Sequence, residues 1–276
     1  MRRFSQVDVF SDEPFRGNPV AVVHDANGLS DEDMARFARW TNLSETTFLL
    51  PPVDPTADYR LRIFTPSEEL PFAGHPTIGS AHAWLEAGGR SSSATEIVQE
   101  CGAGLVRLRQ GAALAFAAPP LLRSGPVDAE DRQAIARALA LEESQVRDLA
   151  WIDNGPGWVG VLLEDAAAVL AVRPDWNAFG RWNIGVVGPH PDGAECAVEV
   201  RAFCPGVGVA EDPVTGSLNA GIAQWLAGDR LPTSYVAAQG TVLGRTGRVH
   251  VDRVGDTVWI GGSATTAISG QVELGR

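Results

Sequence analysis

The feature that most constrains this chain is an internal repeat. Arg62-Ile63-Phe64-Thr65-Pro66 is followed, after nine residues, by Pro76-Thr77-Ile78-Gly79-Ser80, and Arg201-Ala202-Phe203-Cys204-Pro205 is followed, after seven, by Pro213-Val214-Thr215-Gly216-Ser217. The copies stand about half the chain apart, so the simplest account is a duplicated unit. Each copy reads as a strand, a turn and a helix. Ala197–Phe203 alternates as a strand does, and Leu218–Leu226 carries a helical pattern. Between them Asp212 stands where an N-cap carboxylate belongs and Pro213 where the first helical residue belongs. His75 takes the place of Asp212 in the first copy. A helix start offers unpaired N–H groups and a partial positive charge, so two matched starts facing one cleft would hold a small anion.

With 276 residues, 45% of them hydrophobic, the chain can bury two cores of ordinary size. The expected halves are 1–118, with 264–276 returning to pair with it, and 119–263, joined by a linker from Pro119 to Pro126. The site is expected in the cleft between them. A net charge of −12 argues against nucleic acid and anionic membranes as partners and leaves a small molecule as the default. Cys101, Cys196 and Cys204 are odd in number and form no C-x-x-C, so no disulfide framework is indicated and a reducing cytoplasm fits. No run of 18 apolar residues and no signal peptide is evident, so neither targeting nor a membrane span is expected.

In chain order, Phe4–Phe10 and Pro19–Val23 read as a β-ribbon, and Leu29–Trp40 as a helix capped by Ser30 with Leu29 and Met34 as its staple. Thr46–Leu50 reads as a buried strand with Glu45 at its mouth. Position alone favours a solvated carboxylate there, but one pointing into a cleft would have its pKa raised toward the range useful for proton transfer. Tyr59–Phe64 alternates as a strand, and Glu130–Leu141 reads as a helix. An imidazole at a helix N-terminus is disfavoured as a cation, which predicts a neutral His75. His82 follows seven positions later with no third ligand nearby, so no metal site is expected. Neither a G-x-S-x-G elbow nor a dinucleotide or P-loop fingerprint occurs in a strand-to-helix context, and no cofactor is expected. Weak acids and bases around an anion-holding cleft suit proton movement on a small carboxylated substrate, a small anionic metabolite. The pocket's size would depend on the loops Ser67–Phe72 and Gly206–Ala210.

The run Val7-Asp8-Val9-Phe10 with Gly17-Asn18-Pro19, then Asn42-Leu43-Ser44-Glu45-Thr46, then Leu70-Pro71-Phe72-Ala73-Gly74-His75-Pro76-Thr77, then Glu211-Asp212-Pro213-Val214-Thr215-Gly216-Ser217, resembles the PhzF-like isomerase family of phenazine biosynthesis, over nearly the whole chain and in the same order. The resemblance implies an α+β, diaminopimelate epimerase-like fold: two similar halves, each a curled β-sheet around a central helix. It also implies a homodimer. It implies that Glu45 is the acid/base in isomerising a dihydro-hydroxyanthranilate, that His75, Asp212 and Ser217 line the site, and that Ser44, Gly74 and Gly216 supply nearby contacts. The related epimerases use two cysteines as opposed acid and base, whereas here His75 and Asp212 are read in the corresponding places. Two other readings stand beside the isomerase: an epimerase or racemase of an amino-acid-like substrate using Glu45 opposite Asp212 or His75, and a catalytically idle binding protein of the same fold.

Overall fold

A computed structural model describes residues 1–207 and 209–275. Gly208, within the loop read as setting the pocket's size, and Arg276 lie outside the described residues. The elements in chain order are β1 (Arg2–Val9), β2 (Asn18–Val23), α1 (Asp31–Thr41), β3 (Glu45–Leu50), β4 (Tyr59–Phe64), β5 (Glu69–Leu70), α2 (Gly74–Glu86), β6 (Glu96–Cys101), β7 (Gly104–Arg109) and β8 (Leu114–Ala117). There follow β9 (Arg123–Pro126), α3 (Ala129–Ala138), β10 (Asp148–Asp153), β11 (Trp158–Leu162), α4 (Ala166–Ala171), β12 (Asn183–Pro189), β13 (Val198–Cys204) and β14 (Val209–Asp212). The chain closes with α5 (Gly216–Leu226), β15 (Ser234–Gln239), β16 (Gly247–Val254), β17 (Thr257–Gly262) and β18 (Ala264–Val272). Two compact units result, Met1–Ala117 with Gly261–Arg276, and Ala118–Ile260.

The first unit runs antiparallel from β18 through β1 to β2, turns parallel from β2 to β3 and antiparallel from β3 to β4. Strand β4 then pairs antiparallel with β5 and parallel with β6, and β6 antiparallel with β7. The second unit repeats this succession with β9, β10, β11, β12, β13, β14, β15 and β16. A parallel step needs a crossover, and α1 and α4 supply it in the two units. Residues 119–126 are therefore not a plain linker, since β9 pairs with β10. Its Gly125 and Pro126 look like turn material, but a strand paired on one edge tolerates both.

The duplication goes beyond topology. On β4, Arg62 sends Nε and Nη2 to the two oxygens of Glu69, at 2.7 and 2.6 Å, while Nη1 reaches Asp31 at the start of α1 at 2.6 Å. On β13, Arg201 makes the same fork with Glu211, at 2.8 and 2.8 Å, and its Nη1 reaches the carbonyls of Val169 and Val172 at the end of α4. In both units the helix opens at the fifth residue after that glutamate, Gly74 after Glu69 and Gly216 after Glu211. The equivalent pairs are thus Leu70 with Asp212, Ala73 with Thr215, and His75 with Ser217.

This register corrects the sequence alignment. Asp212 is not an N-cap but the end of β14, Thr215 is the cap residue, and Pro213 lies before the helix. His75 is the second residue of α2, behind the cap residue Ala73, and does not occupy the place of Asp212. The recurring Pro-x-x-Gly-Ser misaligned the copies because proline fits both the approach to a helix and its first turn, where the missing N–H has no intrahelical partner. The separation of arginine from glutamate, seven positions from Arg62 to Glu69 and ten from Arg201 to Glu211, then hid the true offset.

Helix α2 is buried on nearly every side from Gly74 to Ala83, as a helix enclosed by a curled sheet must be. Close packing depends on glycine at one equivalent position in both central helices. A Cβ on Gly79 would stand 2.4 Å from Val20 Cγ1, and one on Gly221 2.5 Å from the carbonyl oxygen of Ile152. Both helices are also pinned at their fourth residue to a buried glutamine. Gln99 Nε2 donates to Thr77 Oγ1 at 3.1 Å, and Asn219 Nδ2 donates to Gln239 Oε1 at 2.9 Å.

The Arg–Glu forks differ in burial, which sets their cost of removal. Arg201 and Glu211 are 4% and 10% exposed, Arg62 and Glu69 16% and 41%. Breaking a buried pair strands a charge and costs about 3–5 kcal/mol, whereas an exposed pair contributes about 0–1 kcal/mol. Glu211→Ala is therefore expected to lower urea-unfolding stability by several kcal/mol and Glu69→Ala by about 1 kcal/mol or less. Equal losses would contradict the assignment of the buried fork as the stronger tie.

Candidate active site

In the first unit the acid/base candidates meet at one end of the central helix. Glu45 is the first residue of β3, next to Val20 of β2 in register, and its side chain is 15% exposed. His75, the second residue of α2, is 4% exposed, and its Nε2 lies 3.3 Å from Glu45 Oε2. A tie further down the helix fixes their spacing: Ser80 Oγ and Thr47 Oγ1, both fully buried, are 2.8 Å apart and join α2 to β3. Ser44 stands half-buried immediately before Glu45, and Gly74 is the first residue of α2.

Burial dominates the chemistry of the imidazole. Desolvation lowers the pKa of His75 from 6.5 to about 3, and a hydrogen bond to the Pro19 carbonyl, which favours the charged ring, opposes this without overcoming it. His75 is accordingly neutral at physiological pH and is a polar neighbour of Glu45 rather than a counter-ion; the facing Nε2 and Oε2 are both buried and make no hydrogen bond to each other in this geometry. The neutral ring is the state expected from its place at a helix start. The principal cause is enclosure.

The second unit gathers Asp212, Gly216 and Ser217 at the start of α5. Thr215 does not cap the helix with its hydroxyl, which instead donates to Asp212 Oδ2 at 2.5 Å. Gln239 keeps this turn rigid: its Oε1 accepts from Thr215 N at 3.0 Å, and its Nε2 donates to Thr215 Oγ1 at 2.9 Å and to the Asp212 carbonyl at 3.1 Å. Ser217 is held from outside the helix. Its Oγ accepts from Trp158 Nε1 at 3.0 Å and its carbonyl from Asn154 Nδ2 at 2.8 Å. Neither central helix has a side-chain N-cap bond, so the first N–H groups of both, at Gly74 and His75 and at Gly216 and Ser217, are uncapped by side chains. Such termini are ready-made for carboxylate or phosphate oxygens.

Sequence reasoning did not find Asn18, whose side chain touches His75, nor Thr215, Gln239 and Trp158, which hold Asp212 and Ser217. The triplet Gly17-Asn18-Pro19 at a strand start was the available signal for Asn18. A glutamine late in a short strand gives no signal for Gln239. His82 is turned elsewhere, with Nε2 3.2 Å from Thr266 Oγ1 and 3.5 Å from Glu86. Among the described residues no group of three or more His, Cys, Asp and Glu side chains is arranged to hold a metal ion.

Comparison with known proteins agrees with this architecture. The family model described as phenazine biosynthesis-like protein matches residues 7–270. Antisense-enhancing sequence 1 of Schizosaccharomyces pombe is 40% identical, with 97% of each chain covered. The trans-2,3-dihydro-3-hydroxyanthranilate isomerase of Pseudomonas aeruginosa is 36% identical, over 91% of this chain and 90% of that one. The crystal structure of a phenazine biosynthesis protein of the PhzF family from Enterococcus faecalis superposes with a TM-score of 0.81 at 25% identity and covers 99% of both chains. The α+β architecture is that of the PhzF and epimerase-like proteins. On the match of sequence from residue 7 to residue 270 and of fold over the whole chain, this protein belongs to the phenazine biosynthesis-like (PhzF) family.

Proposed function

We propose that this protein is a cofactor-independent isomerase that moves a proton within a small, carboxylate-bearing substrate of the dihydro-hydroxyanthranilate type, with Glu45 as the acid/base. The observation that carries this reading is the half-buried Glu45 carboxylate set 3.3 Å from a neutral, enclosed His75. A carboxylate so placed takes a proton from one carbon and returns it to another, and the neutral imidazole beside it does not hold that carboxylate as a fixed cation would. The uncapped N–H groups at Gly74 and His75 suit the substrate's negative charge, and developing negative charge on an enolate-like intermediate is stabilised by the same dipoles. Ser44 adjoins the carboxylate as a further polar contact. Asp212, Gly216 and Ser217 are proposed to take part in the same reaction, with Asp212 oriented by Thr215 and Ser217 by Trp158. The isomerase of Pseudomonas aeruginosa at 36% identity supports the choice of substrate class. An epimerase using two thiols has no such support, because burial raises the pKa of both Cys101 and Cys196, away from the thiolate that mechanism needs.

We further propose that the working form is a cytoplasmic homodimer. The three cysteines are free thiols, in keeping with a reducing compartment. Light scattering of the purified chain is expected to give twice the mass of one chain, and a single-chain mass at working concentration would reject the dimer.

The direct test of the reaction uses trans-2,3-dihydro-3-hydroxyanthranilate as substrate. Glu45→Gln is expected to keep the fold and the thermal midpoint within a few degrees and to lower kcat by about 10²–10⁴-fold or more, the usual contribution of a positioned acid/base. Turnover undiminished in Glu45→Gln would reject Glu45 as the proton carrier. Failure of the unaltered protein to convert this compound would reject the proposed substrate class.

A further inference from the structure

Asn18, the first residue of β2, is fully buried, and its Nδ2 lies 3.3 Å from Nδ1 of His75. An amide nitrogen only donates, so this contact requires Nδ1 to be the accepting nitrogen of the ring. A neutral imidazole has one proton to place, and it must then sit on Nε2, the atom that faces the Glu45 carboxylate. We infer that Asn18 is a positioning residue that selects the tautomer of His75 in which Nε2–H is presented to Glu45.

Asn18 is itself held in place by a buried carboxylate at the neighbouring strand. Asp8, 3% exposed, accepts from the backbone N–H of Arg16 and of Gly17 through Oδ2, both at 3.0 Å. The two residues leading into Asn18 are thereby clamped to β1, and Asn18 stands in register opposite Val9. The Asp8 clamp on residues 16 and 17, then Asn18, His75 and Glu45, make a line from a structural carboxylate to the proposed proton carrier. The Pro19 carbonyl is the competing partner for the ring, since it can only accept and so calls for an N–H.

The tautomer has a chemical consequence, which rests on the reading of Glu45 as the acid/base. With the proton on Nε2, His75 turns an N–H dipole toward the carboxylate 3.3 Å away, which favours the ionised form and keeps Glu45 ready to act as a base in the unliganded protein. With the proton on Nδ1, the Nε2 lone pair would face the carboxylate and favour a protonated Glu45, so the free protein would start as an acid instead. Asn18 in this way decides which end of the proton transfer the resting site is prepared for.

The test is a long-range ¹H–¹⁵N correlation spectrum of the whole chain labelled with ¹⁵N-histidine, which distinguishes protonated from unprotonated ring nitrogens without any assay of turnover. The ring signals of His75 are assigned as those that vanish from the spectrum of His75→Gln. In the unaltered protein its Nε2 is expected to carry the proton. Asn18→Asp replaces a donor with an acceptor and is expected to move the proton to Nδ1 and to shift the acidic limb of the kcat/KM profile to higher pH. Asn18→Leu, which can neither donate nor accept, is expected to leave a mixture of tautomers. An Nδ1–H ring in the unaltered protein overturns the inference whether or not the variants fold, as does an unchanged Nε2–H ring in Asn18→Asp. A Glu45→Gln protein with undiminished turnover and an Nε2–H ring would instead leave the role of Asn18 standing and remove the proposed role of Glu45.

Discussion

The bidentate contact between an arginine on the middle strand of each unit and a glutamate on the next hairpin is the interaction on which the remaining architecture turns. Arg62 and Arg201 each join three things: the central strand, the short strand that leads into the core helix, and the crossover helix. The point where α2 or α5 begins follows from that anchoring. Guanidinium is suited to this role because its planar fork meets both carboxylate oxygens and still has a further edge for a third element. Lysine's compact ammonium lacks the planar fork that meets both carboxylate oxygens side by side. The helices then enter the sheets with their first N–H groups unoccupied by side chains, and the chemical character of each unit comes from what stands beside those groups.

In the first unit that neighbour is a buried imidazole. Enclosure removes its charge, so His75 does not act on Glu45 as a cation. A carboxylate beside a neutral, buried ring is an arrangement suited to a proton that has to leave one atom and return to another. The second unit presents a different surface at the equivalent place: Ser217 where the first has His75, and Asp212 where the first has Leu70. Duplication preserved the scaffold, and the two helix mouths diverged in chemistry.

Much of this was legible in the chain. The Tyr59–Phe64 strand, the Ser30-capped helix and the alternating strand before Cys204 all follow from periodicity and capping, because those patterns arise from local geometry. The family resemblance located Glu45 and His75, which the structure brings together in one unit. What was not legible depended on contacts between distant residues. The offset between the copies needed the Arg–Glu forks, whose partners are seven positions apart in one unit and ten in the other. Residues 123–126 pair as a strand although their composition reads as a turn, since the partner β10 lies further along the chain. Asn18 and Gln239 carry their roles through side-chain contacts with residues far along the chain, and no local pattern signals such contacts.

The central claim is that the Glu45 carboxylate carries the substrate's proton, and a crystal structure with the aromatic analogue 3-hydroxyanthranilate bound tests it most directly. The account predicts the analogue's carboxylate against uncapped helix N–H groups and a ring carbon within about 3.5 Å of a Glu45 oxygen, the separation of a reacting pair. A ring bound with Glu45 out of reach of every carbon, or with the carboxyl group of Glu45 turned away from it, would contradict the account.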